Sequence, residues 1–246
     1  MLEHRVAFAL AHPSWTGAEL NDAVSATGAR DVVVQGRWRT TELRALGQEQ
    51  VLVFTSGSIG RPKIVRLSRS ALAAAARAHA QALPWRDDDR WLLALPLAHV
   101  GGFSILTRCL HARAAVVLME PAPFDPDRLI EAAEVQRVTL LSVVPTMLEQ
   151  LVRRSPPPSL RAALVGGAGA RPALIAAARA AGWPVLPTFG MSETSAQVCT
   201  QRLGDERTRG VGPPLPGVEV RIGADGQIEV SGPTLMDGYL GEPVLP

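Results

Sequence analysis

The chain has 246 residues, of which 47% are hydrophobic and 20% charged, with a net charge of +2. A chain of this length buries roughly 70–75% of its unfolded surface, and the composition excludes a disordered or collagen-like polymer. The arginines are scattered and aromatic residues make up only 4%, so there is neither a basic block nor a stacking platform for nucleic acid, and no such partner is expected.

Cys109 and Cys199 lie far apart, without His or Cys at metal-ligand spacing; they read as reduced core residues, and no zinc site is expected. The apolar patch Val6 to Ala11 follows Glu3 and precedes no small-residue cleavage site, which argues against a signal peptide. The longest apolar region, Trp91 to Met119, is broken by Pro96, His99, Arg108, His111 and Arg113. No membrane span is expected, and the location expected is cytoplasmic.

In chain order, Thr16 to Thr27 is predicted helical, opened by Thr16 with Glu19 three residues on and stopped by Gly28. A strand over Asp31 to Gln35 follows. Another, Val51 to Phe54, runs into Thr55-Ser56-Gly57-Ser58-Ile59-Gly60 and then Arg61-Pro62-Lys63. The alanine-rich stretch Ser68 to Leu83 reads as a helix capped by Ser68. Next come strand Trp91 to Leu95, helix Gly102 to His111, strand Ala115 to Met119, a helix from its cap Asp125 to Gln136, strand Leu140 to Val143 and helix Pro145 to Arg153. Strand Leu160 to Val165 ends in Gly166-Gly167, and helix Pro172 to Ala181 leads to strand Val185 to Thr188.

This alternation predicts an α/β fold of layered, mainly parallel sheets with flanking helices. Val211 to Gly241 is rich in Gly and Pro, with short strands Glu219 to Ile222 and Gln227 to Val230. Residues 1–195 are therefore expected to form the α/β core and 196–246 a small antiparallel β lobe.

The stretch Thr55 to Lys63, TSGSIGRPK, combines small residues that let backbone N–H groups converge, three hydroxyls and one ammonium, a combination suited to polyphosphate. It is not a Walker loop, because Pro62 and Ile64 flank the lysine where Gly and Ser or Thr would stand. Taken alone, it fits a Gly-Ser surface turn equally well. Glu193, taken alone, fits a solvated loop carboxylate, but it follows a glycine turn at a strand end.

TSGSIGRPK resembles the signature loop of the adenylate-forming (AMP-binding) superfamily of acyl- and aryl-CoA ligases. Phe189-Gly190-Met191-Ser192-Glu193 resembles its Y-G-x-T-E element, and Leu95 to Gly102, LPLAHVGG, its fourth core motif. Gly166-Gly167-Ala168, the run 210–217 (GVGPPLPG) and the run 232–239 (GPTLMDGY) resemble further landmarks in the same order. The phrases LPLAHVGGFSILTRCL, VTLLSVVPTML and FGMSETSAQVCT are most similar to the o-succinylbenzoate-CoA ligases of menaquinone biosynthesis.

The resemblance implies ATP-dependent adenylation of an aromatic or acyl carboxylic acid, o-succinylbenzoate in particular, as the first half of acid-CoA ligation. ATP, Mg²⁺ and coenzyme A as second substrate are its cofactors. Thr55, Ser56, Gly57, Ser58, Gly60 and Lys63 would hold phosphates, and Gly166, Gly167 and Ala168 would cradle adenine. Phe189, Gly190, Met191 and Ser192 would flank the nucleotide, and Glu193 would hold the metal. His99, Val100 and Gly101 would face the acid, with Gln197 and Val198 lining its pocket. Glu193, Lys63 and His99 form the implied catalytic set, although ordinary packing also accounts for His99, Gln197 and Val198 by residue type.

Several positions depart from the family pattern. Ile59 replaces a threonine hydroxyl, whereas Phe189 for Tyr and Ser192 for Thr keep the aromatic face and the hydroxyl. Only 54 residues precede Thr55, fewer than the family's first lobe needs, and the sequence reaches Pro246 before the lid domain with its lysine. The expectation is an incomplete first lobe, an absent C-terminal lid, weak nucleotide binding and slow turnover. A catalytically degenerate binding module, or one part of a split ligase with a separate lid polypeptide, stands beside it.

Overall fold

Short apolar runs separated by capped helices are stable when the strands form a sheet whose two faces are covered by those helices. The computed structural model describes residues 8–12, 14–27, 31–34, 37–40, 51–55, 63–120, 122–205 and 210–242. Its elements begin with β1 (Phe8–Leu10), α1 (Gly17–Thr27), β2 (Asp31–Val34), β3 (Arg37–Thr40), β4 (Val51–Thr55), β5 (Lys63–Leu67) and α2 (Arg69–Ala82). They continue with β6 (Arg90–Leu93), α3 (Val100–Ala112), β7 (Ala115–Leu118), α4 (Pro126–Val135), β8 (Leu140–Val143), α5 (Pro145–Leu151), β9 (Ala162–Val165) and α6 (Pro172–Ala180). The last are β10 (Val185–Met191), β11 (Ala196–Thr200), β12 (Glu219–Ile222), β13 (Ile228–Ser231) and β14 (Gly238–Tyr239).

Helix starts follow the expected caps. Thr16 N–H donates to Glu19 Oε2 at 2.7 Å and Glu19 N–H returns to Thr16 Oγ1 at 3.3 Å, a reciprocal capping box on α1. Ser68 Oγ accepts from Ala71 N–H at 3.3 Å on α2, and Asp125 accepts from Asp127 N–H at 2.9 Å on α4.

Among the described residues, six strands form the main sheet in the order β11-β10-β9-β8-β6-β7. All neighbours are parallel except β11, which is antiparallel to β10. Alternate residues point to opposite faces of a strand, and both faces are buried here. Leu92, Leu141, Ala163, Val165 and Val185 pack on one side with α4, α5 and α6 residues such as Leu129, Leu148 and Ile175. Trp91, Leu140, Ala162, Leu164 and Leu186 pack on the other with Leu83, Ile105 and Cys109. A second sheet, β1-β4-β5-β14, packs Val51, Val53, Val65 and Leu67 against Leu72 of α2 and Phe103 of α3.

Asp89, Thr139 and Arg161 stand just before β6, β8 and β9, at the N-terminal ends of the parallel strands. Arg161 donates to both Asp89 oxygens, at 2.7 and 2.5 Å, and Thr139 Oγ1 donates at 2.7 Å. Burial pushes the Asp89 carboxyl up, but these bonds and the Arg86 N–H outweigh it and hold it below the ordinary range. The network ties three strand starts together at the end of the sheet opposite the site described below.

Five strands, β1, β3, β5, β11 and β14, are not anticipated by the sequence reading. In β3 (RWRT) and β5 (KIVRL), charged residues interrupt the apolar pattern. Strand β11 pairs with β10 across Phe189↔Cys199 and Met191↔Ala196. The division expected after Ser195 therefore does not coincide with the sheets. Ala196–Thr200 is the edge of the main sheet and Gly238–Tyr239 closes the second, leaving the β12-β13 pair as a separate antiparallel unit.

Candidate nucleotide and acid site

In a parallel sheet, the loops leaving the strand C-termini emerge on one edge, where ligands of open α/β folds bind. Here the loops after β6, β9 and β10 carry Leu95 to His99, Gly166 to Ala168 and Ser192 to Ser195. Three of the sequence landmarks thus reach one edge from separate parts of the chain. Ser56, Gly57, Ser58, Ile59 and Gly60 lie outside the described residues, but the residues bounding them are paired: Thr55 faces Lys63 across the antiparallel β4-β5 ladder. The Thr55 hydroxyl is engaged there, donating to Lys63 O at 3.2 Å. Helix α2 starts only after β5, so Lys63 opens a strand instead of leading directly into a helix.

The Glu193 turn is tightly built. β10 runs through Met191 into the 3-10 turn Ser192–Thr194 and doubles back as β11, with a bulge between Phe189 and Gly190. Thr194 Oγ1 donates to Met191 O at 3.0 Å and Ser195 Oγ to Thr234 O at 2.9 Å. Ser195 and Ala196 hold φ of 56° and 103°, a conformation that L side chains adopt only under tertiary constraint. Glu193 O accepts from Met236 N–H at 2.8 Å, and Glu193 Oε1 accepts from Tyr239 Oη at 2.9 Å. Lys63 Nζ sits 4.3 Å above the centroid of the same Tyr239 ring. Burial, and then the Glu193 carboxylate, push the Tyr239 phenol up to about 12. Lys63, Glu193 and Tyr239, which are 130 and 46 residues apart in order of sequence, thus form one cluster.

His99 is the N-cap residue of α3 but uses its carbonyl, not its ring, to start the helix, accepting from Gly102 and Phe103 N–H at 3.0 Å. Its ring lies 5.4 Å from that of His12, centroid to centroid. Burial, and then the charge of His12, lower its pKa, favouring the neutral imidazole. Val100 and Gly101 follow in the first turn of α3, where Val100 packs toward the second sheet's core. At Gly102 a Cβ would come within 2.3 Å of Pro96 O, so the helix can meet the Leu95-Pro96 backbone only through glycine.

Gly166 lies against Thr188, Gly167 faces Val144 and Ala168 is exposed. Phe189 is half-buried beside a cluster of Ala78, Val198, Cys199, Leu215 and Val218. Val198, expected on the wall of the acid pocket, has no exposed surface and packs into this cluster. Gln197 is also buried, and both ends of its amide are engaged: Oε1 with His79 Nδ1 at 2.8 Å and Nε2 donating to Thr188 Oγ1 at 2.9 Å. Gln197 therefore borders the site from within the core.

Sequence reasoning missed His12, His79, Arg108 and Tyr239. Arg108 is buried in α3 with its guanidinium 5.5 Å from the Trp91 ring centroid and its Nε unpartnered; burial pushes it down to about 10. For His79 the available signal was its spacing from Ala71 and Ala75 on the buried face of α2. Burial, and then the Arg108 charge, hold the His79 imidazole well below its ordinary value. The folded chain thus binds fewer protons than the unfolded chain, and stability is expected to fall as pH drops below about 6.5, by at most about 1.4 kcal/mol per pH unit for one site. Urea unfolding at a series of pH values checks this: the slope should be present in the wild type and largely absent in His79→Gln.

The metal-ligand chemistry at Glu193 is that of a single carboxylate. Its Oε1 is held by Tyr239, Oε2 has no hydrogen-bond partner among the described residues, and no group of three or more His, Cys, Asp or Glu side chains is found among them. This fits Mg²⁺, which takes one or two carboxylates and completes its shell with phosphate and water. No helix among the described residues is long and apolar enough to cross a membrane.

Comparison with known proteins gives the same picture. Residues 47–240 match the family model described as AMP-binding enzyme. The chain is 38% identical over 208 residues to a 2-succinylbenzoate--CoA ligase of Bacillus pumilus, covering 79% of this chain and 42% of the relative. It superposes on o-succinylbenzoate CoA synthetase (MenE) from Bacillus subtilis in complex with the acyl-adenylate intermediate OSB-AMP, with TM-score 0.81 and 27% identity over 95% of this chain and 56% of that one. The same enzyme in complex with ATP and magnesium ion gives TM-score 0.73 and 32% identity over 83% of this chain and 46% of that one. The chain thus spans less than half the length of the curated relative it matches. With its motifs, sheet order and family match in agreement, the chain belongs to the AMP-binding enzyme family.

Proposed function

We propose that this chain forms the nucleotide- and acid-binding body of an AMP-forming acid-CoA ligase acting on o-succinylbenzoate. The observation that carries the reading is the meeting of Lys63, Tyr239 and Glu193 beside the C-terminal edge of the sheet. Adenylation requires a carboxylate to attack the α-phosphate of ATP while pyrophosphate leaves, so the site must position two anions and meet the charge that develops. Lys63 would provide a point charge for the phosphates, with the backbone of Gly57 and Gly60 and the hydroxyls of Ser56 and Ser58 beside it. Bound Mg²⁺ would screen the phosphate charge. Glu193 would hold that ion through its open oxygen. Gly166, Gly167 and Ala168 would receive adenine next to Phe189, Gly190, Met191 and Ser192.

The acid would enter past His99, Val100 and Gly101, with Gln197 behind. A neutral His99 suits an anionic substrate as a hydrogen-bond donor without neutralising the attacking carboxylate. Arg108, with no carboxylate partner among the described residues, suits the second carboxylate of a dicarboxylic acid. Lys63 is the single lysine of the 246 residues. A second lysine to bridge the carboxylate and α-phosphate, and a surface to admit coenzyme A, would come from a lid outside them, in a longer chain or a separate polypeptide. The reading includes a cytoplasmic location, where ATP and coenzyme A are available.

Mass spectrometry after incubation with ATP, Mg²⁺ and a panel of aromatic acids tests the proposal. The expected product is the acyl-adenylate of o-succinylbenzoate. Nucleotide binding without adenylate from any acid would favour a catalytically silent binding module.

A further inference from the structure

Tyr239 was not among the residues expected in the site, yet it touches two of them. Its hydroxyl donates to Glu193 Oε1 at 2.9 Å, and its ring carries the Lys63 ammonium at 4.3 Å. The backbone fixes both contacts. β14 pairs with β5 through Gly238↔Arg66 and Tyr239↔Val65, Asp237 N–H donates to Arg66 O at 2.9 Å, and Leu240 N–H donates to Ile64 O at 2.8 Å. On the other side, Met236 N–H donates to Glu193 O at 2.8 Å. The phenol is thus registered against the strand that begins with Lys63 and against the turn that carries Glu193.

A single-carboxylate metal site works best with one oxygen held and the other open. The phenol creates that asymmetry, engaging Oε1 and leaving Oε2 without a partner among the described residues. The competing arrangement is a direct Lys63–Glu193 ion pair, which would occupy the carboxylate with the very cation that phosphate needs. No such pair forms; the ammonium rests on the ring face instead. An aromatic face attracts a cation without consuming a carboxylate lone pair.

The geometry points to Tyr239 as a positioning residue of the nucleotide site, whose hydroxyl holds the Glu193 carboxylate with one oxygen turned out and whose ring keeps the Lys63 ammonium off it until phosphate draws it away. This role rests on the nucleotide reading above and adds to it a residue and a resting state.

Two variants separate its halves. Tyr239→Phe keeps the ring and removes the hydroxyl, and Tyr239→Leu removes both. Because Lys63 is the single lysine, its acetylation by an amine-reactive reagent is read at one peptide by mass, apart from the N-terminal amine. In protein without nucleotide, Tyr239→Leu should label at Lys63 roughly two- to fivefold faster than wild type, the factor matching an exposed cation–π contact, and Tyr239→Phe at the wild-type rate. By calorimetry, Tyr239→Phe should bind ATP roughly tenfold more weakly when Mg²⁺ is present, as for loss of one hydrogen bond to a charged group, and unchanged in EDTA. Equal labelling of wild type and Tyr239→Leu would overturn the role of the ring. Unchanged Mg²⁺-dependent affinity in Tyr239→Phe, beside a wild type that binds, would overturn the role of the hydroxyl alone. A wild type that binds no ATP would overturn the nucleotide reading itself, and the positioning role with it.

Discussion

Gly190→Ala is expected to destabilise the chain by on the order of 4–5 kcal/mol or more, enough to leave little folded protein. The cause is space. A Cβ at Gly190 would lie 1.6 Å from Ala196 O and 2.6 Å from Ala196 C. Both atoms are backbone, so no side-chain rotation relieves the overlap and the β10-β11 hairpin must open. That hairpin also fixes the turn bearing Glu193 and the burial of Gln197 and Val198. Soluble yield and urea unfolding check the expectation, and a variant with wild-type stability would mean that β11 does not cross β10 as closely as described.

Glu193→Gln is expected to leave the fold in place and remove the metal dependence of nucleotide binding. Glutamine is nearly isosteric with glutamate, and its amide can still accept from the Tyr239 hydroxyl, so the contact at Oε1 has a substitute. What disappears is the negative charge. A neutral amide is a poor Mg²⁺ ligand beside phosphates, and loss of one preorganised electrostatic group in a transition state costs on the order of 10²–10³ in rate. Acyl-adenylate formation should therefore fall by about that factor, and ATP affinity should become the same with and without Mg²⁺. Full activity in the variant would place the metal elsewhere.

Much of the main sheet was legible in the sequence because its strands are buried on both faces. Leu140–Val143 reads as an apolar run broken only by Ser142 and folds as a strand buried along its whole length, and Asp125 and Ser68 announce their helices by chemistry that the structure uses. The longer strands that escaped detection are marked by charge or by the turn before them. Lys63 and Arg66 belong to β5, yet their charges mimic a loop. Ala196–Thr200 follows a turn whose left-handed Ser195 and Ala196 carry no glycine to announce it.

The site divided along similar lines. Glu193, Lys63 and His99 were visible because they stand in stretches that resemble the family's motifs. Their relation to one another was not, because it depends on β14, a two-residue strand that brings Tyr239 back to β5 from the far end of the chain. His79 was hidden for a different reason: among the alanines of α2 it looks like a surface residue, and only the packing of α2 against Trp91 and Gln197 buries it.

The central claim is that Lys63, Glu193 and Tyr239 form a working nucleotide site on this chain. Isothermal titration of the wild-type protein with ATP, in Mg²⁺ and in EDTA, alongside Glu193→Gln, tests it most directly. Saturable binding that Mg²⁺ strengthens in the wild type but not in the variant is the expected result. Absence of binding, or binding with the same Mg²⁺ response in both proteins, would contradict it.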